Sequence, residues 1–491
     1  MTVSRLPLLT AALTSLLLNA CAHKVGIDYT SPDLKAPDAW SRNVVRDLKG
    51  GSGGIENWWK KFNDSKLNQL IAQARKANPN LKIAYQQINE SRARRGVAYS
   101  QLFPNAAATA DYQRTRSSES LFFPPPTNPN NSFSVGFDSG WEIDVFGGIR
   151  RAVESSQASV EASVEAYRDV LVSLEAEVAL NYIEMRTLQK RIYLAKENIQ
   201  RQRDSHKLTK DRFDAGLVPE IDVTQAETNL YNTEAVVPTL ESQLTFARNR
   251  LASLLGKYAG SLDKQLGSST RIPTPPRNAS IGLPTNLLRS RPDVRQAERE
   301  LAAQTARVGV ATADLYPRFS LLGNLNLQAL DADNLFSSTS RAFGIAPSVR
   351  WQIFAAGGIR NNIRIEKTRV EQAYKVYENA LLLAVEETEN SLVSISKERQ
   401  RFGKLRQSVK STEKTVKLVK DNYQNGLVDF QNVLDAERTL FTAQDDSAIS
   451  EGTVSANYVR LFKALGGGTE NVLLDSSPKR KNQQPTSDKK P

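Results

Sequence analysis

The stretch Phe133-Ser134-Val135-Gly136-Phe137-Asp138-Ser139-Gly140-Trp141-Glu142-Ile143-Asp144-Val145-Phe146-Gly147-Gly148-Ile149-Arg150 decides how this chain is built. Its odd positions up to Val145 read Phe, Val, Phe, Ser, Trp, Ile, Val, and its even positions read Ser, Gly, Asp, Gly, Glu, Asp. That is period-two alternation over the length of a membrane-crossing strand, with one apolar and one polar face. The alternation stops at Gly147-Gly148, and a different pattern follows. From Ile149 to Phe213 neither proline nor glycine interrupts the sequence. Its apolar residues keep a seven-residue spacing: Val164, Leu171, Val178, Met185, Ile192, Ile199. A second register runs through Val160, Tyr167, Leu174, Leu188 and Ala195, with Asn181 as its exception. At 1.5 Å per residue such a helix is ~98 Å long. A strict heptad implies left-handed supercoiling against its neighbours.

The pattern returns. Trp141 to Arg150 reappears 210 residues later as Trp351-Gln352-Ile353-Phe354-Ala355-Ala356-Gly357-Gly358-Ile359-Arg360. The same offset links Phe213-Asp214-Ala215-Gly216-Leu217-Val218 to Tyr423-Gln424-Asn425-Gly426-Leu427-Val428, and Leu255-Gly256 to Leu465-Gly466. Upstream, Gly96-Val97 matches Gly309-Val310 and Phe103-Pro104 matches Tyr316-Pro317, at an offset of 213. The first copy therefore carries three extra residues, which belong in the Pro-rich connection Phe122 to Asn131. The second copy alternates again through Phe343, Ile345, Pro347, Val349, Trp351 and Ile353, and Pro347, which lacks an N–H, predicts a bulge or weak pairing. Its long helix keeps the phase at Tyr374, Leu381, Ile395, Phe402 and Val409, with Thr388 as the polar lapse. Return helices carry Val223, Leu230, Val237, Leu244, Leu251 and Val433, Leu440, Ser447, Val454, Leu461. Pro219 and Pro238 predict a break or kink in the first of them.

These landmarks divide the chain into six parts. Residues 1–20 read as a signal peptide and 21–65 as an extended N-terminal segment. The first copy is 66–256, with strands 105–114 and 133–145 and a helical hairpin 149–256. A linker 257–282 leads to the second copy, 283–466, with strands 318–329 and 343–353 and a hairpin 359–466. Residues 467–491 form a basic tail, read as disordered.

The chain has 491 residues, 40% of them hydrophobic and 24% charged, and a net charge of +12. No run after residue 20 approaches the ~18 apolar residues of a spanning helix, so a bilayer would have to be crossed by strands. The one basic cluster, Lys479, Arg480, Lys481, Lys489 and Lys490, lies among Pro, Ser, Gln and Asn and reads as a solvated end rather than a nucleic-acid arm. One cysteine and two histidines exclude an intrachain disulfide and a His-based metal site. No carboxylate pair, Ser-His set, Walker loop or dinucleotide fingerprint appears in a fitting context, and Gly466-Gly467-Gly468 reads as a helix terminator. The reading is of a protein that is no enzyme and holds no cofactor.

At the N-terminus, Arg5 precedes the short apolar run Leu6 to Leu18, as in an export signal. Leu18-Asn19-Ala20-Cys21 resembles the lipobox of bacterial lipoproteins. That resemblance implies an S-diacylglycerol and an N-acyl group on Cys21, and Ala22 after it implies sorting to the outer membrane. The plainer alternative is a secretory signal with an incidental cysteine.

Four strands cannot close a barrel, since the smallest membrane barrels use eight. Open edges in lipid cost several kcal/mol per unpaired group, so copies must assemble. Asp111, Asp138, Glu142, Asp144 and Arg350 would then line a water-filled lumen, and the helices would project into the periplasm. A soluble sandwich would explain the alternation alone, but not the helix that follows each hairpin.

Further motifs are Trp58-Trp59 before Phe62 and Leu67, Leu287-Leu288-Arg289-Ser290-Arg291-Pro292-Asp293-Val294-Arg295, Phe146-Gly147-Gly148, Arg212-Phe213-Asp214-Ala215-Gly216-Leu217 and Leu434-Asp435-Ala436-Glu437-Arg438. With them the chain resembles an outer membrane factor of the OprM and TolC type, in its lipoprotein branch. The resemblance implies a mostly α fold with a membrane β-barrel part: a homotrimer with a twelve-stranded barrel continued by a periplasmic α-barrel. It implies partners as well: a periplasmic adaptor, an inner-membrane pump, often of the resistance-nodulation-division type, and outer-membrane lipid, but no nucleic acid. Drugs, other small molecules or, in some members, proteins would be exported. Gly216, Leu217, Val218 and Gly426, Leu427, Val428 would be the tips that meet the adaptor; the ordinary role of each glycine is a helix C-cap. Asp435 and Arg438, with Tyr423, would constrict the tunnel mouth, whereas their ordinary reading is a local pair of a few tenths of a kcal/mol. Gln431 stands beside Phe430 where related channels place an apolar constriction residue, so the gate would be polar and charge-linked. Two alternatives stay open: the exit duct of a type I protein secretion system, and a non-conducting periplasmic coiled-coil scaffold.

Overall fold

The structure, a computed structural model, describes residues 24–33, 55–118, 120, 129–276 and 290–468. The signal segment with Cys21, residues 121–128 of the Pro-rich connection, Leu287-Leu288-Arg289 and the Lys479 to Lys490 tail lie outside the described residues. The chain divides into two compact units. One takes Met1–Ala39, Pro79–Asp169 and Leu283–Glu386; the other takes Trp40–Asn78, Val170–Gly282 and Glu387–Pro491.

The sequence repeat is a structural one. Helices α1 (Ser65–Ala77) and α2 (Pro79–Ser100) lead into strands β1 (Asn105–Thr115) and β2 (Asn130–Ile143), then helices α3 (Gly148–Asp214) and α4 (Glu220–Leu254). The second copy has α5 (Pro292–Ala313), β3 (Arg318–Ala329), β4 (Arg341–Arg350), α6 (Gly358–Gln424) and α7 (Phe430–Ala464). Equivalent helices have equal lengths: 22 residues in α2 and α5, 67 in α3 and α6, and 35 in α4 and α7.

In the first unit the strands form one antiparallel sheet in the order β1-β2-β3-β4. Its register sorts the side chains by face. Ala108, Phe137, Leu325 and Phe343 make one row across all four strands, and the next row, Ala107, Asp138, Asn324 and Gly344, points to the other side. The apolar row has no cover among the described residues of its own chain: Phe137, Leu325 and Phe343 are 62%, 61% and 82% exposed. Tyr112 and Phe133 stack at 4.8 Å near one end of this face. Trp141, near the other end, donates its indole N–H to Leu102 O at 3.0 Å, and its repeat mate Trp351 donates to Leu315 O at 3.0 Å. The eight steps from Phe133 to Trp141 rise ~26 Å along the strand, or ~20 Å of height at the ~40° tilt of barrel strands, most of the ~25 Å apolar band between aromatic girdles.

Three expectations need correction here. β2 ends at Ile143 and β4 spans 341–350, so the strands sit two to three residues earlier than 133–145 and 343–353. Val145 already donates to Ile143 O in a turn. Pairing runs without a bulge through Pro347, which sits opposite Leu321. Within one chain β4 is the edge strand, where alternate N–H groups face away from β3 and a proline at such a position costs no bond to β3.

The second unit is a helical bundle. Heptad residues fill its core: Val178 and Met185 are fully buried, as is the polar lapse Thr388, whose hydroxyl reaches Ala464 O at 3.5 Å. Between α3 and α7 the register is set by polar pairs. Arg191 makes a two-point pair with Asp445 (2.7 and 3.0 Å), Asn198 donates to Gln444 (2.8 Å) and Lys190 pairs with Glu451. The expected break at Pro219 and Pro238 does not occur: Pro219 is the N-cap of α4, and the helix continues through Pro238. Trp58 stacks on Phe462 at 5.5 Å, so a buried 3-10 turn, Trp58–Phe62, stands where the sequence suggested only an extended segment. Gly467 and Gly468, read as tail, are buried and bonded: Gly468 donates to Ile55 O.

The face with Asp138 approaches backbone closely. A Cβ on Gly136 would lie 2.0 Å from Asn326 Oδ1 and 2.5 Å from Leu325 O, whereas one on Gly323, on the apolar face, meets only Gly344 O at 3.9 Å. Gly136→Leu should therefore sharply lower the amount of folded, protease-resistant protein in outer-membrane fractions, and Gly323→Ala should leave it near wild type; immunoblots after limited proteolysis distinguish the two.

Candidate functional site

Two regions carry the candidate site residues, one in each unit. In the first unit, Asp111, Asp138, Glu142, Arg318 and Arg350 fall on the same face of the sheet by register. Thr109 donates to Asp138 at 3.2 Å. Small residues and asparagines fill the rest of this face: Asn105 accepts from Gly140 N at 3.0 Å, and Asn324 lies over Gly344. A concave wall needs small side chains on its inner side, and a water-filled one needs polar groups. Asp144 does not belong to it. Its carboxylate accepts from the backbone N–H groups of Ile149 (3.1 Å) and Arg150 (2.8 Å) and pairs with the Arg150 guanidinium, so it starts α3.

In the second unit, both helix hairpins end in the same device. Gly216 and Gly426 have φ of +70° and +73°. Leu217 N donates to Arg212 O and Leu427 N to Asn422 O, each at 2.9 Å. These bonds close the helix C-termini in the left-handed way that glycine permits. Leu217 and Leu427 are then 67% and 72% exposed. Val218 and Val428 turn inward and pack with Leu208, Ala226, Tyr423, Phe430, Val433 and Leu434.

The proposed gate residues divide in the same way. Tyr423 and Phe430 are buried, their rings 5.3 Å apart, and the Arg212 guanidinium lies 4.8 Å from the Tyr423 ring centre. Arg212 also donates to Tyr423 O (2.8 Å) and Gln424 O (2.9 Å), so it ties the end of α6 to α3. Burial pushes the Tyr423 phenol above its ordinary pKa. Gln431, Asp435 and Arg438 are exposed. The local Asp435–Arg438 pair does not form: Asp435 accepts from Gln431 (3.0 Å), and Arg438 donates to Asn229 of α4 (3.0 Å). Within one chain the two charges are thus held apart on an open face.

The outer membrane efflux protein family model matches residues 70–257 and 283–467, one match per copy of the repeat. This chain belongs to that family. As an outer membrane efflux protein it is 27% identical over 463 residues to nodulation protein T of Rhizobium leguminosarum bv. trifolii, covering 94% of this chain and 98% of that one. It is 29% identical to the pyoverdine export outer membrane protein OpmQ of Pseudomonas aeruginosa over 96% of this chain and 98% of that one. The solved structure of the outer-membrane channel OprN superposes with a TM-score of 0.85 at 35% identity, over 90% of this chain and 99% of that one. The efflux protein is an outer-membrane exit duct with a TolC-like fold and a large helical periplasmic part.

Some residues that build the site are not singled out by the sequence. Arg212 shows in sequence only as part of the motif before Gly216. Arg151 is 1% exposed; it donates to Val25 O at 3.0 Å and pairs with Asp28 at 2.8 Å, holding the N-terminal segment on the strand-to-helix junction. Nothing in the heptads singles it out.

At the tips, partial burial and then the Asp429 carboxylate push Asp222 above the ordinary carboxylate value. A raised carboxylate pKa favours the folded tip below the ordinary value, and that advantage is lost as pH rises through the raised one. Asp222→Asn should increase hydrogen-exchange protection of residues 213–222 and 423–433 at pH 7 and change little below the ordinary carboxylate range. Equal protection at both pH values would contradict the coupling.

Proposed function

We propose that three copies of this efflux protein assemble side by side, β4 of one pairing with β1 of the next, to form a closed barrel that passively conducts small molecules out of the cell. The observation that carries this reading is the pair of open edges. Among the described residues β1 and β4 each pair on one side only, yet they border an apolar face with nothing over it. In hydrocarbon those edges are tolerable only when another strand covers them. The relatives' names point to small cargoes: solvent, toluene, pyoverdine and cation efflux. They favour small-molecule efflux over protein secretion.

The chain performs no chemistry in this reading; an inner-membrane pump supplies the energy. Leu217 and Leu427, the most exposed large apolar side chains described at the tips, receive the periplasmic adaptor. Lipid on Cys21 anchors each copy. Val25 N is held by Phe146 O at the strand-to-helix junction. The few residues back to Cys21 span at most ~14 Å, which supports an anchor close to that junction.

The gate is polar and works between copies. Asp435 and Arg438, unpaired with each other in one chain, are free to meet the same residues of neighbouring copies around the axis. Single-channel recording in planar bilayers tests both ideas. Purified wild-type protein should open rarely, and Asp435→Ala with Arg438→Ala should raise the mean conductance several-fold. An unchanged conductance in the double variant removes the charge-linked gate; absence of any channel in wild type removes the duct.

A further inference from the structure

The apolar face of the sheet carries two cations, both at the same end of the strands. By register Arg114 shares its face with Tyr112, and Arg341 shares its face with Leu327, Val135 and Ala110. Both are exposed, and neither has a hydrogen bond or ion pair among the described residues. Arg116 follows two residues after Arg114 and is also exposed. Asp331 and Asp333, in the connection between β3 and β4, pair with none of them. An arginine on a lipid-facing strand costs ~2–4 kcal/mol at the bilayer midplane and little at its surface. By register Arg114 lies one row beyond the Tyr112–Phe133 pair and Arg341 one row inside it; the stagger of the strands carries both toward headgroup depth.

They occupy opposite edges of one sheet, yet the stagger of the sheet brings them to one seam. Thr115 pairs with Asn130, Ala329 with Phe133, and Arg341 with Leu327, which is itself opposite Val135. The outer strand ends thus step five residues along β2, from Asn130 to Val135, between β1 and β4. Such a step per sheet is the shear of tilted barrel strands, and it keeps all four ends at one height. Carried across a β4-to-β1 seam, the same stagger seats Arg114 of the next copy beside Arg341, both pointing to lipid.

We infer that each seam holds a binding site for the phosphate groups of the outer-leaflet glycolipid, the phosphorylated diglucosamine headgroup of lipid A. Two guanidinium groups side by side, with no carboxylate partner among the described residues, repel one another unless an anion lies between them. Arginine's planar fork fits phosphate in a two-point manner. The next apolar row toward the membrane centre, Ala108, Phe137, Leu325 and Phe343, gives the acyl chains a surface below the arginines. The site rests on the closure of copies proposed above, since neither arginine pair exists in one chain.

The test uses the full-length lipoprotein purified from outer membranes in detergent, stripped of lipid and checked for conducting channels in planar bilayers. Its probes are bis-phosphorylated lipid A, the same lipid after phosphatase treatment, and inorganic phosphate as competitor. Wild type should retain bis-phosphorylated lipid A, with about tenfold weaker binding of the dephosphorylated lipid and of the phosphorylated one by Arg114→Gln with Arg341→Gln. The single variants should fall between. Equal binding by the double variant, or equal binding of the dephosphorylated lipid, overturns the site. Displacement by millimolar inorganic phosphate overturns the lipid assignment. Should the double variant fail to conduct, Arg341→Gln alone decides, since it leaves β1 intact. Wild-type protein that conducts but binds no phosphorylated lipid refutes this site and leaves the duct standing; wild type that forms no channel refutes the duct.

Discussion

Every free N–H and C=O on a strand edge must find a partner before that edge can enter hydrocarbon, and this chain leaves two edges open. The four-stranded sheet satisfies its inner pairs and then stops at β1 and β4. Its apolar rows, from Ala108 to Phe343, find no cover among the chain's described residues. A soluble protein would turn such a face inward against a second layer. Here the polar rows, with Asp111, Asp138 and Glu142, take the inner side instead. The lumen, the membrane belt and the need for neighbours all follow from that one arrangement.

The helices answer a different requirement. A 67-residue helix cannot be stabilised by propensity alone; it needs a continuous apolar seam and a fixed register. Val178, Met185 and Leu251 supply the seam, and the Arg191–Asp445 and Asn198–Gln444 contacts supply the register. The strand-to-helix turn joins the two regimes. Asp144 caps the first turn of α3, and the Trp141 indole is bonded to the turn that directly follows α2, so the sheet is tied closely to the helices at both ends of β2's junction. Where the repeat permits comparison, Trp351 makes the same bond in the second copy.

Periodicity made most of this legible in advance. Alternation gave the strands and their faces, heptads gave the helices, and two constant offsets gave the doubling. What periodicity could not show were side chains whose role depends on the local turn. Asp144 continues the polar alternation on paper, yet the chain has already left the strand at Ile143 and the carboxylate serves the helix. Pro347 looks disruptive until its strand is known to be an edge. Pro238 looks like a kink, but packing of Val237 and Leu240 holds the helix through it. At the tips the sequence marked the right segment and not its division of labour. Tyr423 and Phe430 knit the two hairpins together from inside, and the charged residues remain outside. Arg212 escaped because a conspicuous glycine motif surrounds it, and its partners are backbone carbonyls far along the chain.

The claim on which the account stands is that one chain is a third of a pore wall. Its most direct test is the mass of the particle in mild detergent, by light scattering or native mass spectrometry with the detergent contribution removed. The account predicts three copies in a single species, with no stable membrane-inserted monomer. A monodisperse single-copy particle that inserts into liposomes with its sheet intact would contradict it, because its strand edges would then stand unpaired in lipid.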